Sequence, residues 1–64
     1  MFITKSDIYR AAQSLNNGNI ARDANRLWDG NRREMSLDKL LIKLEIDGRF
    51  SEVRQIKCYF QDRK

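Results

Sequence analysis

The stretch Ile8–Trp28, reading IYRAAQSLNNGNIARDANRLW, decides the fold. Ile8, Ala11, Ala12 and Leu15 recur at helical spacing. Asn16, Asn17, Gly18 and Asn19 then interrupt, and Ile20, Ala24, Leu27 and Trp28 resume the period. Two antiparallel helices satisfy this pattern. The alanines allow close approach, and the bulky Leu27-Trp28 pair closes the far end.

Working outward, Thr4-x-x-Asp7 resembles a capping box, with Ile3 and Ile8 placed as a hydrophobic staple across it. The first helix is therefore expected over Lys5–Leu15. Asn19 is expected to cap a second helix over Ile20–Asp29, ended by Gly30 in the left-handed conformation. Asn31–Met35 is polar and basic and reads as a loop. Ser36 caps a third helix whose Leu37, Leu40, Leu41 and Leu44 form one apolar stripe, stopped by Asp47-Gly48. A fourth helix starts near Ser51 and turns Val53, Ile56 and Phe60 inward.

The second half has a competing reading. Leu40, Ile42, Leu44 and Ile46 also alternate, and Asp47-Gly48 is a favoured hairpin turn, so an α+β protein with a C-terminal β-hairpin is the alternative. Continued as a strand, the face of Phe50 and Ile56 would also carry Glu52 and Arg54, whereas a helix places both charges outside the main stripe. The fold class is therefore all-α, a single domain over residues 1–64 made of three to four short helices beginning with a helical hairpin. The sequence contains no internal repeat.

A chain of 64 residues buries only about 60% of its unfolded surface. Domains of this size often need a staple, yet Cys58 is the only cysteine and histidine is absent. Neither an internal disulfide nor a Cys/His metal site is available. Self-association, as a homodimer, is the expected supplement. No apolar run suffices to span a bilayer and no signal peptide is evident, so the chain reads as cytoplasmic. Without histidine and with too little chain to enclose a pocket, catalysis is not expected, and neither is a cofactor. Cys58 reads as a small buried hydrophobe.

Two surfaces are candidates for function. Ile42 and Ile46 lie on the far side of the third helix from Leu37. Either the fourth helix wraps over them or they form, with Phe2, a partner-binding patch. Trp28 is either core or, with Leu27, an interface anchor. Leu27, Trp28, Ile42 and Ile46 are thus the candidate protein-binding residues.

The rival surface is a nucleic-acid face on the second helix. It would use Arg22, Asn25 and Arg26, with Arg32 and Arg33 gripping the backbone. Net charge is +4, divided as +1 over residues 1–30 and +3 over residues 31–64. Basic and acidic residues are interspersed, and the longest basic runs are Arg32-Arg33 and Arg63-Lys64, so nucleic-acid binding is expected to be weak.

The pattern Ala11-Ala12, Gly18-x-Ile20, Ala24 and Leu27-Trp28, followed by Phe50-x-x-x-Arg54-x-x-x-Cys58, resembles the AggR-activated regulator (ANR) family of small bacterial regulators. Asn31–Ser36 and Phe50 depart from the family pattern, which expects an apolar continuation of the second helix and a tryptophan. The resemblance implies a virulence-linked regulator that modulates transcription by binding a regulatory protein, an AraC-type activator or the nucleoid protein H-NS. A phage- or plasmid-type inhibitor of a host protein would share the same features.

Overall fold

The computed structural model describes residues 1–61, so the Arg63-Lys64 pair lies outside the described residues. Six elements follow in order: β1 (Phe2–Thr4), α1 (Lys5–Ser14), α2 (Gly18–Leu27), β2 (Glu34–Ser36), α3 (Leu37–Ile46) and α4 (Phe50–Gln61). The four expected helices are present. No hairpin forms at Asp47-Gly48, where the chain turns between α3 and α4 with Gly48 at φ 81°.

The local signals act largely as read. Thr4 caps α1, its hydroxyl accepting from the Asp7 N–H while the Asp7 carboxylate accepts from the Thr4 N–H at 2.9 Å. The cap of α2 is Asn17 instead of Asn19, and its side chain accepts from the Asn19 N–H. That shift starts the helix at Gly18 and ends it at Leu27, leaving Gly30, at φ 63°, in the following loop. Ser36 occupies the cap position of α3 without a side-chain cap bond, and the first N–H of the helix, that of Leu37, donates to the Met1 carbonyl at 2.9 Å. A backbone partner from the start of the chain takes up this N–H.

That partner belongs to a feature the sequence does not announce. Glu34 and Met35, expected in a loop, form β2, which pairs antiparallel with β1: Phe2 opposite Ser36, Ile3 opposite Met35, Thr4 opposite Glu34. Every element of the first half recurs 32 residues later. β1 maps onto β2, α1 onto α3, and α2 onto the first ten residues of α4.

The helix-to-helix turns repeat bond for bond. Leu15, Asn16 and Asn17 donate to Ala11, Gln13 and Ala12, while Asp47, Gly48 and Arg49 donate to Lys43, Glu45 and Leu44. Asn16 at φ 53° stands where Gly48 does. The paired residues Ile3 and Met35 are themselves equivalent, so an approximate twofold axis passes between them.

The core lies between the two β-α-α units. Ile3 and Met35, Ile8 and Leu40, Ala12 and Leu44, Ile20 and Glu52, Ala24 and Ile56 are equivalent pairs, and all ten residues are buried. At two of these positions an alanine of one unit stands where the other has leucine or isoleucine, so the core is filled without identical side chains. Between residues 1–32 and 33–64 only Arg22 and Arg54 coincide. The duplication is therefore structural and invisible as a sequence repeat.

Candidate interaction surfaces

Trp28 closes the α1–α2 hairpin as core, 7% exposed, with its indole N–H donating to the Arg32 carbonyl at 2.8 Å. The Lys5 ammonium stands 5.9 Å from the ring centroid. Little of the ring is left for a partner. Leu27 is half-buried beside it, and a depression of about 400 Å³ is lined by Arg26, Leu27, Trp28, Lys43, Ile46 and Asp47. Ile46 therefore joins Leu27 and Trp28, whereas Ile42 lies one turn away along α3, outside that lining.

The fourth helix does not wrap over the α3 isoleucines: Ile42 is 54% and Ile46 82% exposed. The duplicated fold gives these values a reference. Their equivalents in the first unit are Arg10 and Ser14, also exposed. The same position in the same architecture accepts a charge or a hydroxyl, so the fold does not require isoleucine there. Phe50, exposed at the start of α4, likewise replaces Gly18. Sequence reasoning starts the fourth helix near Ser51 and so leaves Phe50 out of it, whereas α4 begins at Phe50.

The α2 cations do not assemble as one free face. Arg22 and Asn25 are exposed, but the Arg26 guanidinium is held by Asp23 at 3.3 Å and by a short contact to Asp47. Arg49 bridges the same two carboxylates, 3.5 Å from Asp23 and 3.3 Å from Asp47. The hydrogen bond from Arg26 holds the Asp47 carboxyl below its ordinary pKa.

Glu52 sits buried next to this cluster, with Oε1 lacking a hydrogen-bond partner. Desolvation, followed by the neighbouring Asp23 carboxylate, pushes its pKa up to about 7. Arg32 and Arg33 lie in the loop before β2, away from the α2 helix face, with Arg32 3.9 Å from Asp29.

The ribbon makes a second exposed face. Ile3 and Met35 point into the core, so alternation leaves Phe2 and Glu34 exposed, with Thr4 and Ser36 half-buried. Phe2 is 66% exposed, and a shallow recess of about 170 Å³ brings it together with Arg32, Glu34, Ser36 and Lys39. Phe2 thus belongs to the ribbon patch and does not line the Ile46 groove. Lys39 pairs with Asp29 at 3.4 Å, and that bond keeps the Asp29 carboxyl below its usual pKa. Each strand offers only one apolar residue between two polar or exposed ones, too short a signal to read as a strand.

Cys58, expected to be buried, is exposed on α4. Its equivalent, Arg26, is also a surface residue, which accounts for the difference. Among the described residues no cluster of His, Cys, Asp and Glu could hold a metal ion, and no helix is long and apolar enough to cross a membrane. No family model, curated protein or solved structure matches the chain.

Proposed function

We propose that this chain is a small regulator that contacts duplex DNA through its β1–β2 ribbon. The observation that carries this reading is the approximate twofold axis running through an exposed two-stranded antiparallel ribbon. The major groove, about 12 Å wide, admits such a ribbon. A twofold element also presents equivalent shoulders to the two backbones, which matches the local twofold symmetry of a duplex.

The outward side chains have chemistry for base edges. Phe2 suits a thymine methyl group, Glu34 can accept from cytosine N4, and the half-buried Ser36 hydroxyl can pair with several bases. Arg32 and Arg33 enter the ribbon at one end, and Lys39 borders it near Phe2. Asp29 is already paired with Lys39 and Arg32. With a longest dimension of 26 Å, the body covers less than one duplex turn of about 34 Å.

Amide shifts mapped during titration with a short duplex at low salt test this reading. Shifts concentrated at residues 2–5 and 32–39, with binding weakened at least tenfold in the folded Arg32→Ala/Arg33→Ala variant, support it. Shifts centred on Asn19, Arg22 and Asn25 would return recognition to α2. Absence of saturable binding would overturn DNA contact altogether.

The exposure of Ile42 and Ile46 favours a second reading, a regulator that binds another protein, such as a transcription activator or nucleoid protein, with Leu27 and Trp28 flanking the contact. A folded Ile42→Glu/Ile46→Glu variant is then expected to lose a purified regulatory partner that the parent chain binds. Retention of that partner would reject this site.

A further inference from the structure

We infer that the outer face of α3 is a self-complementary seam that joins two copies of this chain with their α3 helices parallel. The duplication within the chain supplies the reference. Positions 42 and 46 are isoleucine where the equivalent positions are Arg10 and Ser14, and all four are exposed. Burial within the chain does not account for the two isoleucines, so their apolar surface is available to another molecule.

Charge specifies the occupant. At 100° per residue, Ile42 and Ile46 form a line along α3. Lys39 and Lys43 fall on one side of that line, and Asp38 and Glu45 on the other. A twofold axis parallel to α3 places the basic flank of one copy against the acidic flank of the other. Lys43 then meets Glu45 of its partner and Lys39 meets Asp38, each pair occurring twice, around stacked Ile42 and Ile46 side chains.

An antiparallel contact would instead set lysine against lysine and carboxylate against carboxylate. The face therefore matches a parallel copy of itself and opposes an antiparallel one. The Lys43 ammonium donates to the Leu27 carbonyl at 3.3 Å, and that of Lys39 pairs with Asp29 at 3.4 Å, each leaving further protons for a carboxylate of the second copy.

The seam is only two helical turns long, so a weak dimer is expected, concentrated by any scaffold that holds two copies near each other. This inference is independent of the DNA reading, since assembly is measured without nucleic acid. A dimer would set two ribbons side by side, one for each of two neighbouring sites.

Sedimentation across a concentration series provides the test. The parent chain is expected to approach dimer mass at high micromolar concentration, while Lys43→Glu and Glu45→Lys each remain monomeric. An equimolar mixture of the two variants regains a dimer, because position 43 of each copy then faces an opposite charge at position 45 of the other. In a Cys58→Ser background, Ile42→Cys is expected to form a disulfide with Ile42→Cys of the second copy under air oxidation.

A monomeric parent at the highest soluble concentration would overturn the inference. So would single charge reversals that leave the dimer intact. Cross-linking that requires a mixture of Ile42→Cys and Ile46→Cys would overturn the parallel register. Ile42, Glu45 and Ile46 are exposed and Lys43 is half-buried, and the near-ultraviolet signal of Trp28 reports that each variant is folded.

Discussion

Asn17 and Gln55 are joined by a 2.9 Å hydrogen bond, and the equivalent positions, Arg49 and Asp23, are joined by a 3.5 Å ion pair. The two interactions exchange under the same twofold axis that relates Ile3 to Met35. One end of the α2–α4 contact is closed by neutral amides. The other is closed by a charge pair with Asp23 nearly buried, and that asymmetry loads the second end with the Arg26, Asp47 and Glu52 charges. Duplication thus supplies a reference position for each residue in a unit, and several expectations come directly from comparing the two.

Glu52 occupies the position that Ile20 fills in the first unit. Its carboxyl is raised from about 4.5 to about 7, so between those values the folded chain binds a proton that the unfolded chain releases. Its contribution to stability is complete below about pH 4.5 and is lost as pH rises through 7. The paired Asp29 and Asp47 act oppositely, losing their contribution in acid as pH falls through their lowered pKa values. Denaturation of Glu52→Gln across about pH 4.5–7.5 is expected to show a flatter profile than the parent and greater stability above pH 7. A parent profile that rises with pH through this window, together with no gain in the variant, would contradict the assignment.

Asn16 and Gly48 share the left-handed turn that links the two helices of each unit. Since asparagine holds that conformation in the first unit, Gly48→Asn is expected to cost less than about 1 kcal/mol. Gly48→Val places a β-branched residue at positive φ and is expected to cost more, about 1–3 kcal/mol. Equal midpoints for these two variants in urea denaturation would rule out the strain argument.

Trp28 ties the hairpin to the loop that leads into β2 through the bond to the Arg32 carbonyl. Trp28→Phe keeps much of the apolar packing but removes the donor, for an expected loss of about 1 kcal/mol. Trp28→Ala also opens a cavity and is expected to lose about 3–5 kcal/mol. Thermal unfolding of both variants separates the hydrogen bond from the packing.

Arg32 and Arg33 are expected to act on DNA through phosphates. Their joint replacement by alanine should make the dependence of log affinity on log salt shallower by about 0.9 for each phosphate no longer neutralised, in similar measure on any sequence. Glu34→Ala, by contrast, should change preference among duplexes more than it changes the salt slope. Anisotropy titrations at several salt concentrations distinguish the two effects. An unchanged slope in the double variant would remove these arginines from the interface.

The four helices, the Thr4–Asp7 capping box and the interior positions Ile8, Ala12, Leu40, Leu44 and Ile56 were legible in the chain. Each depends on neighbours within a few residues, where helical periodicity and capping act. The pairing of Phe2–Thr4 with Glu34–Ser36 was not legible. It links segments about thirty residues apart, and a three-residue strand carries too little alternation to announce itself.

Burial of Glu52 and exposure of Ile42, Ile46 and Cys58 were decided at the same level, because the approach of the two units determines which helix faces meet. The twofold arrangement itself arose in tertiary space. Packing requires buried apolar positions and compatible backbone turns in both units, conditions that Ala12 and Leu44, and Asn16 and Gly48, meet without sequence identity. Local chemistry was sufficient to make the helices, whereas the axis and the surfaces it exposes came from how the two halves fill space together.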